Sequence, residues 1–557
     1  MLWSHLREKH PSLLPQLPQP SVSDALLAPY RGEQKDARDD LLIHWIIEDF
    51  QAFNVVESPA FKEFVTKLDP KYPAFLFFFF FFFFFCSHCC QLVSSNNLCF
   101  ARYSPLTRQT VSSRISGGLA NVKADIADVL KEAASRICCT TDGWTSISME
   151  SYIVVTAHFL THDWKMQGLV IAFDGMEESH TGENLAKRFV EVAEETGIKD
   201  KISSIVSDNA ANAILGITLA AEQLSRAGNT VIPLRCLTHV INLVAKEGFE
   251  KLKGPMAKLK SMVTKLRLSN DLLSHLKKFC AANGEKYHKP QTDTLTRWNS
   301  TLAMLDSMLS MKKSLVNMSG SIGALSEVEW NDLKLIRDLL EPFKEATDLL
   351  SGSSYCTLSL GSLSAETLWN TLHTDTDKFK DVGIQAMITK LKKYRDEIGE
   401  QALLPSFFDP RTLHLMPSGE RNRATNEVKK MLKPTTQAAM KPQGKLTFLD
   451  RIKKEGVIED KALKNHPELQ DYLLITGIDL DRDPLQWWAE NEKYFPTIAP
   501  LARDYLAMMA STVPSEETFS AAGNTITERR NRLSVESAES IIITQSWLKF
   551  QRKLKSA

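Results

Sequence analysis

ICCTTD at residues 137–142 begins the part of the sequence that decides the fold class. Its apolar and β-branched residues predict a short buried strand over 137–141 that ends at Asp142. SYIVVTAHFL (151–160) and MQGLVIAF (166–173) have the composition of a β-hairpin. Three consecutive strands therefore open this region.

Strands and helices alternate further along the chain. A helix is predicted over 183–196, and a strand over 202–207 ends at Asp208. Another strand over 230–234 precedes a helix from about residue 238. This order predicts an α/β fold, in which helices cover a mixed sheet.

The flanking regions are predicted to be helical. Ser58 and Pro59 favour a helix start, and an apolar face with helical spacing follows them. The signal over 241–405 is mostly helical, and residues 411–455 resemble a basic linker. Near the end of the chain, a last helix places three apolar side chains on one face: Ile543, Trp547 and Phe550.

Composition excludes several classes of protein. The 557 residues hold 67 Lys plus Arg and 67 Asp plus Glu, so the formal net charge is zero, while 43% of the residues are hydrophobic. These values exclude a wholly disordered chain and a globally basic nucleic-acid binder, although not local basic patches. Nine cysteines are too few for a disulfide scaffold, and no apolar stretch is long enough for a membrane helix. We therefore expect an intracellular protein with reduced thiols and no membrane partner.

Residues 77–85 are nine consecutive phenylalanines. Such a run would promote aggregation if it were exposed, and it is too short to span a bilayer. Phenylalanine codons are pyrimidine-rich, and the following Cys-Gln pattern can encode a splice acceptor. We predict that residues 74–102 are a retained intron. A genuine hydrophobic insert and a membrane anchor are the alternatives.

Asp142 and Asp208 are the first candidate functional residues, because sheets present functional side chains at strand ends. Two such carboxylates, joined by a third, could hold two divalent ions about 4 Å apart for displacement at phosphorus. The alternative is that both residues simply form turns or cap helices. The two carboxylates alone do not decide between these interpretations.

Two patterns resemble parts of zinc sites. Cys236 and His239 have a C-x-x-H spacing but no matching second pair nearby. His5 and His10 have a spacing found in zinc fingers, without the Cys-x-x-Cys that must precede it. Helix-start packing and surface histidines are the respective alternatives. We expect Zn²⁺ only if an upstream Cys-x-x-Cys exists.

An ordered set of motifs runs along the chain. The motifs are TTDGWTS (140–146), IVSDNAANA (205–213), RCLTHVINL (235–243), TRWNS (296–300), DPR (409–411) and PSEETFSAAG with RRNRLS (514–534). This set resembles the hAT superfamily of transposases, over about residues 30–550. HLREKHP (5–11) is similar to the tail of a BED-type zinc finger, so the resemblance extends to zinc finger BED domain-containing proteins.

The resemblance implies an RNase H-like α/β core that is interrupted by a large all-α insertion. An N-terminal helical region and a C-terminal hAT dimerisation region would flank this core. The implied organisation is a BED-finger remnant (1–15), a helical DNA-binding and dimerisation region (16–73 and 103–130), the insert (74–102), the first part of the core (131–240), the helical insertion (241–410), a basic linker (411–467) and the dimerisation region that completes the core (468–557).

The resemblance also assigns roles to individual residues. Asp142, Asp208 and Glu516 would be the catalytic carboxylates that bind Mg²⁺ or Mn²⁺. Cys236 and His239 would match the family's C-x-x-H motif beside the active site.

Trp298, next to Arg297, would match an aromatic residue that stabilises a displaced base. One departure from the family pattern is Glu517, which stands where Arg or a similar residue is usual.

Three functions remain open from the sequence. The first is a nuclear DNA-binding protein, a domesticated transcription regulator that dimerises through residues 468–557. The second is an active hAT transposase that cleaves and transfers DNA strands with two metal ions. The third is a decayed pseudogene product.

Overall fold

A computed structural model describes the chain as two compact units. One unit comprises residues 1–120 and 524–548, and the other comprises 121–523 and 549–557. The structure describes residues 32–67, 105–146, 150–176, 178–226, 229–248, 253–292, 298–374, 383–432, 466–476, 478–525 and 533–556. The predicted insert at 74–102 and the finger remnant at 1–15 lie outside these residues.

The larger unit is built around one mixed sheet of five strands in the order β3-β2-β1-β4-β5. β1 pairs antiparallel with β2 and parallel with β4, while the β2–β3 pair is antiparallel and the β4–β5 pair is parallel. The strands are β1 (Ile137–Thr145), β2 (Ser151–Leu160), β3 (Met166–Gly175), β4 (Ile202–Ser207) and β5 (Ile232–Arg235).

The predicted hairpin and the strand before Asp208 are confirmed, but β1 is longer than predicted. The sequence placed its end before Asp142, whereas β1 continues to Thr145. Residues 142–145 remain extended because they pair with residues 151–154 of β2. Pairing between strands has overridden the turn-forming tendency of Asp142-Gly143. Asp142 therefore lies within a strand and not after it.

Helices alternate with the parallel strands, as the sequence predicts. The first of them begins at Thr181, whose hydroxyl accepts a hydrogen bond from the Asn184 backbone N–H. Phe189 and Val192 bury its apolar face. These helices are α4 (Gly182–Glu195), α5 (Ala211–Leu224) and α6 (Leu237–Gly248).

The predicted helical insertion follows β5 and α6. Its apolar residues form one continuous core with α6 and with the ends of β1, β4 and β5. Ser326 caps the N-terminus of a 24-residue helix of this insertion with a capping box, in which Ser326 and Glu329 satisfy each other's backbone N–H groups. The helices are α7 (Lys253–Leu268), α8 (Asn270–Asn283), α9 (Trp298–Leu309), α10 (Lys312–Asn317), α11 (Ser319–Ile322), α12 (Glu327–Leu350), α13 (Gly361–Thr374) and α14 (Ile384–Phe408).

The linker predicted over 411–467 is wrong for its first part. Residues 418–431 form the helix α15 (Ser418–Met431). Ala424 and Val428 of this helix are fully buried, together with Leu413 before it. Positive charge and scattered Pro and Gly indicated a linker, but these apolar side chains contribute to a core. Residues 433–465 lie outside the described part of the chain.

The C-terminal residues complete the larger unit. Trp488 is fully buried, stacks on Trp164 with ring centres 5.5 Å apart, and donates its indole N–H to the Phe408 carbonyl oxygen at 2.8 Å. A Trp N–H that is buried in this way needs such an acceptor. The helices of this part are α16 (Pro467–Leu473), α17 (Pro484–Asn491), α18 (Ala499–Leu506) and α19 (Val513–Thr525).

The smaller unit is helical. The Ser58 hydroxyl accepts from the Phe61 backbone N–H at 3.2 Å, which confirms the predicted helix start. Phe61 stacks on Trp45, and Phe64 on the same helix is 55% exposed. The helices, two of which continue beyond this unit, are α1 (Glu33–Glu48), α2 (Pro59–Lys67), α3 (Arg108–Lys131) and α20 (Val535–Ser556).

Candidate active site

Three carboxylates from distant parts of the sequence line one cavity of about 550 Å³. Asp142 lies on β1, Asp208 directly follows β4, and Glu516 lies in the first turn of α19. β1 and β4 are parallel neighbours, so their carboxyl ends meet at one edge of the sheet. The structure thus brings together the three residues that the sequence singled out.

Asp208 is held in a turn between β4 and α5. Its carboxylate accepts a hydrogen bond from the Ala210 backbone N–H at 3.2 Å. The next residue, Asn209, donates its side-chain N–H to the Cys236 carbonyl oxygen at 3.2 Å. The turn-forming interpretation of Asp208 is therefore also correct, and it coexists with a place on the cavity wall.

The other two carboxylates are supported by their own elements. Asp142 accepts from the Gly143 backbone N–H at 2.9 Å. Glu516 is near the N-terminus of α19, where the helix dipole favours negative charge. Its neighbour Glu517, the departure from the family pattern, is exposed at the surface.

The pKa of Asp142 is raised by its surroundings. Burial raises the pKa of Asp142, the negative charges of Asp208 and Glu516 raise it further, and the result is about 7. Like charges raise a carboxyl pKa only where they lie close together in a site that is shielded from water. The charges of Asp208 and Glu516 therefore both act on the Asp142 carboxylate.

His239 and Cys236 lie at the same edge of the sheet. Burial opposes charge on His239, but its hydrogen bond with Cys236 and the charges of Cys236, Glu516 and Asp208 raise the pKa of His239 to about 9. Although burial alone would raise the pKa of Cys236, His239 lowers it. The Cys236 sulfur also lies 3.0 Å from the Thr238 hydroxyl. His239 thus favours a positive charge in a cavity whose carboxylates are negative.

The donor set fits a hard divalent cation. Carboxylate oxygens are preferred ligands of Mg²⁺, which is commonly bound by one or two carboxylates together with water and substrate phosphates. Within the described residues, no three Asp, Glu, His or Cys side chains form a group that could hold one ion by themselves.

The side-chain positions of the other predicted site residues cannot be compared with the structure. His5, His10 and Arg297 lie outside the described residues, and Trp298 begins α9 without a described side chain. Their roles stay predictions.

Several residues that line the cavity were not singled out from the sequence, among them Asn242, Thr347 and Ser351. Asn242 follows His239 by one helical turn within RCLTHVINL, and this spacing could have indicated it. Thr347 and Ser351 come from the C-terminal end of α12, and no local pattern points to them.

The chain thus combines an RNase H-like α/β core, a helical insertion and a cavity lined by three carboxylates at the sheet edge. Comparison with protein families agrees. Residues 140–231 match the ZBED1 RNase-like domain, and 234–339 match the ZBED1 RNase-like helical domain. Residues 454–548 match the hAT family C-terminal dimerisation region.

Several named proteins are similar to this chain over most of its length. A Zea mays protein named "Putative AC transposase" is 27% identical over 99% of this chain and 70% of its own length. DAYSLEEPER of Arabidopsis thaliana, a zinc finger BED domain-containing protein, is 22% identical over 94% of this chain and 75% of its own. The Talaromyces stipitatus "Putative transcriptional regulator tpeD" is 22% identical over 75% of this chain and 54% of its own.

Together these matches support a hAT-family transposase or a BED-type protein. The match of residues 454–548 to the hAT dimerisation region supports self-association. None of the helices in the described residues combines the length and the apolar composition that a bilayer span needs.

Proposed function

We propose that the acidic cavity is the centre of metal-dependent DNA strand cleavage and transfer, so that the chain acts as a hAT-type transposase. The observation that carries this proposal is the convergence of Asp142, Asp208 and Glu516 on one cavity. A chain that no longer cleaves DNA has no need to keep three mutually repelling carboxylates together, because repulsion between them opposes folding.

The negatively and positively charged residues of the cavity would have different roles. Asp142, Asp208 and Glu516 would hold Mg²⁺ or Mn²⁺, which when bound activates a nucleophile and neutralises charge on a phosphate. The raised pKa of His239 favours its charged form, which suits contact with a phosphate oxygen. Trp144 also lines the cavity, where a base could stack on its ring.

Plasmid nicking tests the proposal. The purified full chain is incubated with supercoiled plasmid in Mn²⁺, and the Asp142→Asn variant is compared with it. We expect nicking by the native chain and a loss of about a hundredfold or more in the variant, as for other removed transition-state contacts. Asp163→Asn is the matched control, because Asp163 is an exposed carboxylate in the β2–β3 turn. Equal nicking by the Asp142→Asn variant and the native chain contradicts the proposal.

The second candidate function is a nuclear DNA-binding regulator that works as a dimer. Its support is that similar proteins include one named a transcriptional regulator and BED-finger proteins, together with the dimerisation region. This function needs DNA contact but not the carboxylates. We expect it to show salt-dependent DNA binding that is unchanged in an Asp208→Asn variant, measured by fluorescence anisotropy at several salt concentrations.

A further inference from the structure

A row of polar side chains crosses the interior of the larger unit beside the cavity. The Ser515 hydroxyl lies 2.6 Å from the Thr140 hydroxyl, which lies 2.6 Å from that of Thr156. Thr156 in turn lies 2.8 Å from Nε2 of His158. All four residues are at most 3% exposed. The row therefore connects α19 to β1 and β2 through contacts that exclude water.

Buried hydroxyls in a sheet require an explanation, because valine or alanine would fill the same space without a desolvation cost. Hydrogen bonds offset that cost only in the arrangement that satisfies every partner, so a buried network favours one relative placement of the elements it joins. Here the elements are far apart in sequence, since Thr140 and Ser515 are separated by 375 positions.

On β1, the network lies next to a catalytic candidate. Side chains two positions apart point to the same face of a strand. Thr140, Asp142 and Trp144 therefore share one face of β1, with the carboxylate in the middle. Their partners across the β1–β2 pairing are Thr156 for Thr140 and Tyr152 for Trp144.

α19 shows the matching arrangement. Ser515 directly precedes Glu516, and Phe519 follows Glu516 by one helical turn. Ser515 contacts Thr140, and Phe519 stacks on Trp144 with ring centres 5.7 Å apart. The helix is thus attached to β1 on both sides of the carboxylate pair.

We infer that Thr140 and Ser515 are positioning residues, whose hydrogen bond sets the placement of Glu516 relative to Asp142. The inference deepens the proposed function and rests on it, because the placement matters for binding a divalent ion between these carboxylates. Neither hydroxyl is assigned to touch the metal or the DNA.

Two variants of the full chain test the inference: Thr140→Val and Ser515→Ala. Mn²⁺ binding is measured by titration with electron paramagnetic resonance, which detects free Mn²⁺ and requires no activity. We expect the Kd to rise on the order of tenfold in each, as when residues that orient metal ligands are removed. Thr140→Ser keeps the hydroxyl and should restore the native Kd.

Ser203→Ala separates positioning from general destabilisation. Ser203 is also fully buried in the sheet, and its hydroxyl donates to the Ile137 carbonyl oxygen at 3.1 Å, at the opposite end of β1 from Asp142. We expect its thermal midpoint to fall as in Ser515→Ala, with an unchanged Mn²⁺ Kd. If Ser203→Ala weakens Mn²⁺ binding equally, the inference is overturned.

Hydrogen exchange distinguishes failure of the inference from failure of the proposed function. Absence of Mn²⁺ binding by the native chain would refute a metal site, but it would leave the attachment of α19 open to measurement. We expect backbone amides of residues 513–520 to exchange faster in Ser515→Ala than in Ser203→Ala. Exchange at the same rate in both variants overturns the inference whatever the metal result.

Discussion

His158 is a neutral histidine that the fold encloses. It is only 2% exposed, and burial lowers its pKa to about 4. Gly168 lies opposite it on β3, where an added Cβ would come 3.1 Å from Nδ1 of the ring. Space for the ring therefore depends on a glycine at position 168. No space is left for water that would solvate the protonated ring.

The enclosed ring predicts a loss of stability in acid. An unfolded histidine has a pKa of about 6.5, so between pH 6.5 and pH 4 the unfolded chain binds more protons than the folded chain. The free energy of unfolding should fall as the pH decreases through this window, by about 3 kcal/mol from His158. Above pH 6.5 both forms are neutral and this contribution vanishes.

His158→Phe provides the comparison, because it cannot take up the proton. Urea midpoints are measured at pH 7.5 and pH 4.5 for both proteins. The variant should be less stable at pH 7.5, since Thr156 loses a partner, but it should lose less stability in acid. Parallel losses in the two proteins would mean that His158 is protonated equally in the folded and unfolded states.

At the scale of elements, α14 ends in a buried ion pair that belongs to the DPR motif. Asp409 is fully buried and Arg411 is 10% exposed at its side chain. The Asp409 carboxylate accepts from Arg411 Nη2 and from the Ser359 hydroxyl, both at 2.7 Å. The motif therefore joins the end of α14 to a short 3-10 helix (Leu358–Leu360) that directly precedes α13.

Asp409→Ala should lower the free energy of unfolding by about 3–5 kcal/mol, because Arg411 would remain buried without its partner. Urea denaturation followed by circular dichroism measures the change. Glu427→Ala is the control, since Glu427 pairs with Lys430 at the surface of α15 and such pairs contribute about 0–1 kcal/mol. Equal losses from the two variants would show that the DPR pair does not stabilise the fold.

The elements also show how far local sequence determines the structure. The strands of the sheet and their order along the chain could be predicted, because alternation and β-branched residues are local signals. The continuation of β1 to Thr145 could not, because it depends on pairing with β2. α15 was missed for a similar reason, since Val428 lies in a buried cluster that includes residues distant in the sequence, such as Leu160 and Trp488.

The residues of the candidate site also differ in how far local sequence indicates them. Asp142 and Asp208 could be singled out by their positions near strand ends, which are local features. Glu516 came only from the family resemblance, because no local pattern shows that α19 reaches β1. Thr347 and Ser351 could not be predicted, since they reach the cavity wall only once α12 is packed.

At the scale of the whole chain, the C-terminal residues serve more than one purpose. In the larger unit, Leu485 and Trp488 complete a core. Glu516 lines the cavity there. In the smaller unit, Ile541 and Leu548 are buried in the same cluster as N-terminal apolar residues. A region matched to dimerisation therefore also takes part in folding both units.

Because the C-terminal residues take part in folding, self-association has to be measured on the intact chain. Deletion of residues 468–557 would remove Glu516 and expose apolar surface in both units, so we expect that variant to aggregate and not to become a clean monomer. The intact chain should instead be studied by sedimentation equilibrium over a range of concentrations. We expect a mass of at least about twice the chain's 62.7 kDa, because the dimerisation region is matched over residues 454–548. A mass of one chain at every concentration would contradict self-association, while leaving the role of residues 468–557 in folding intact.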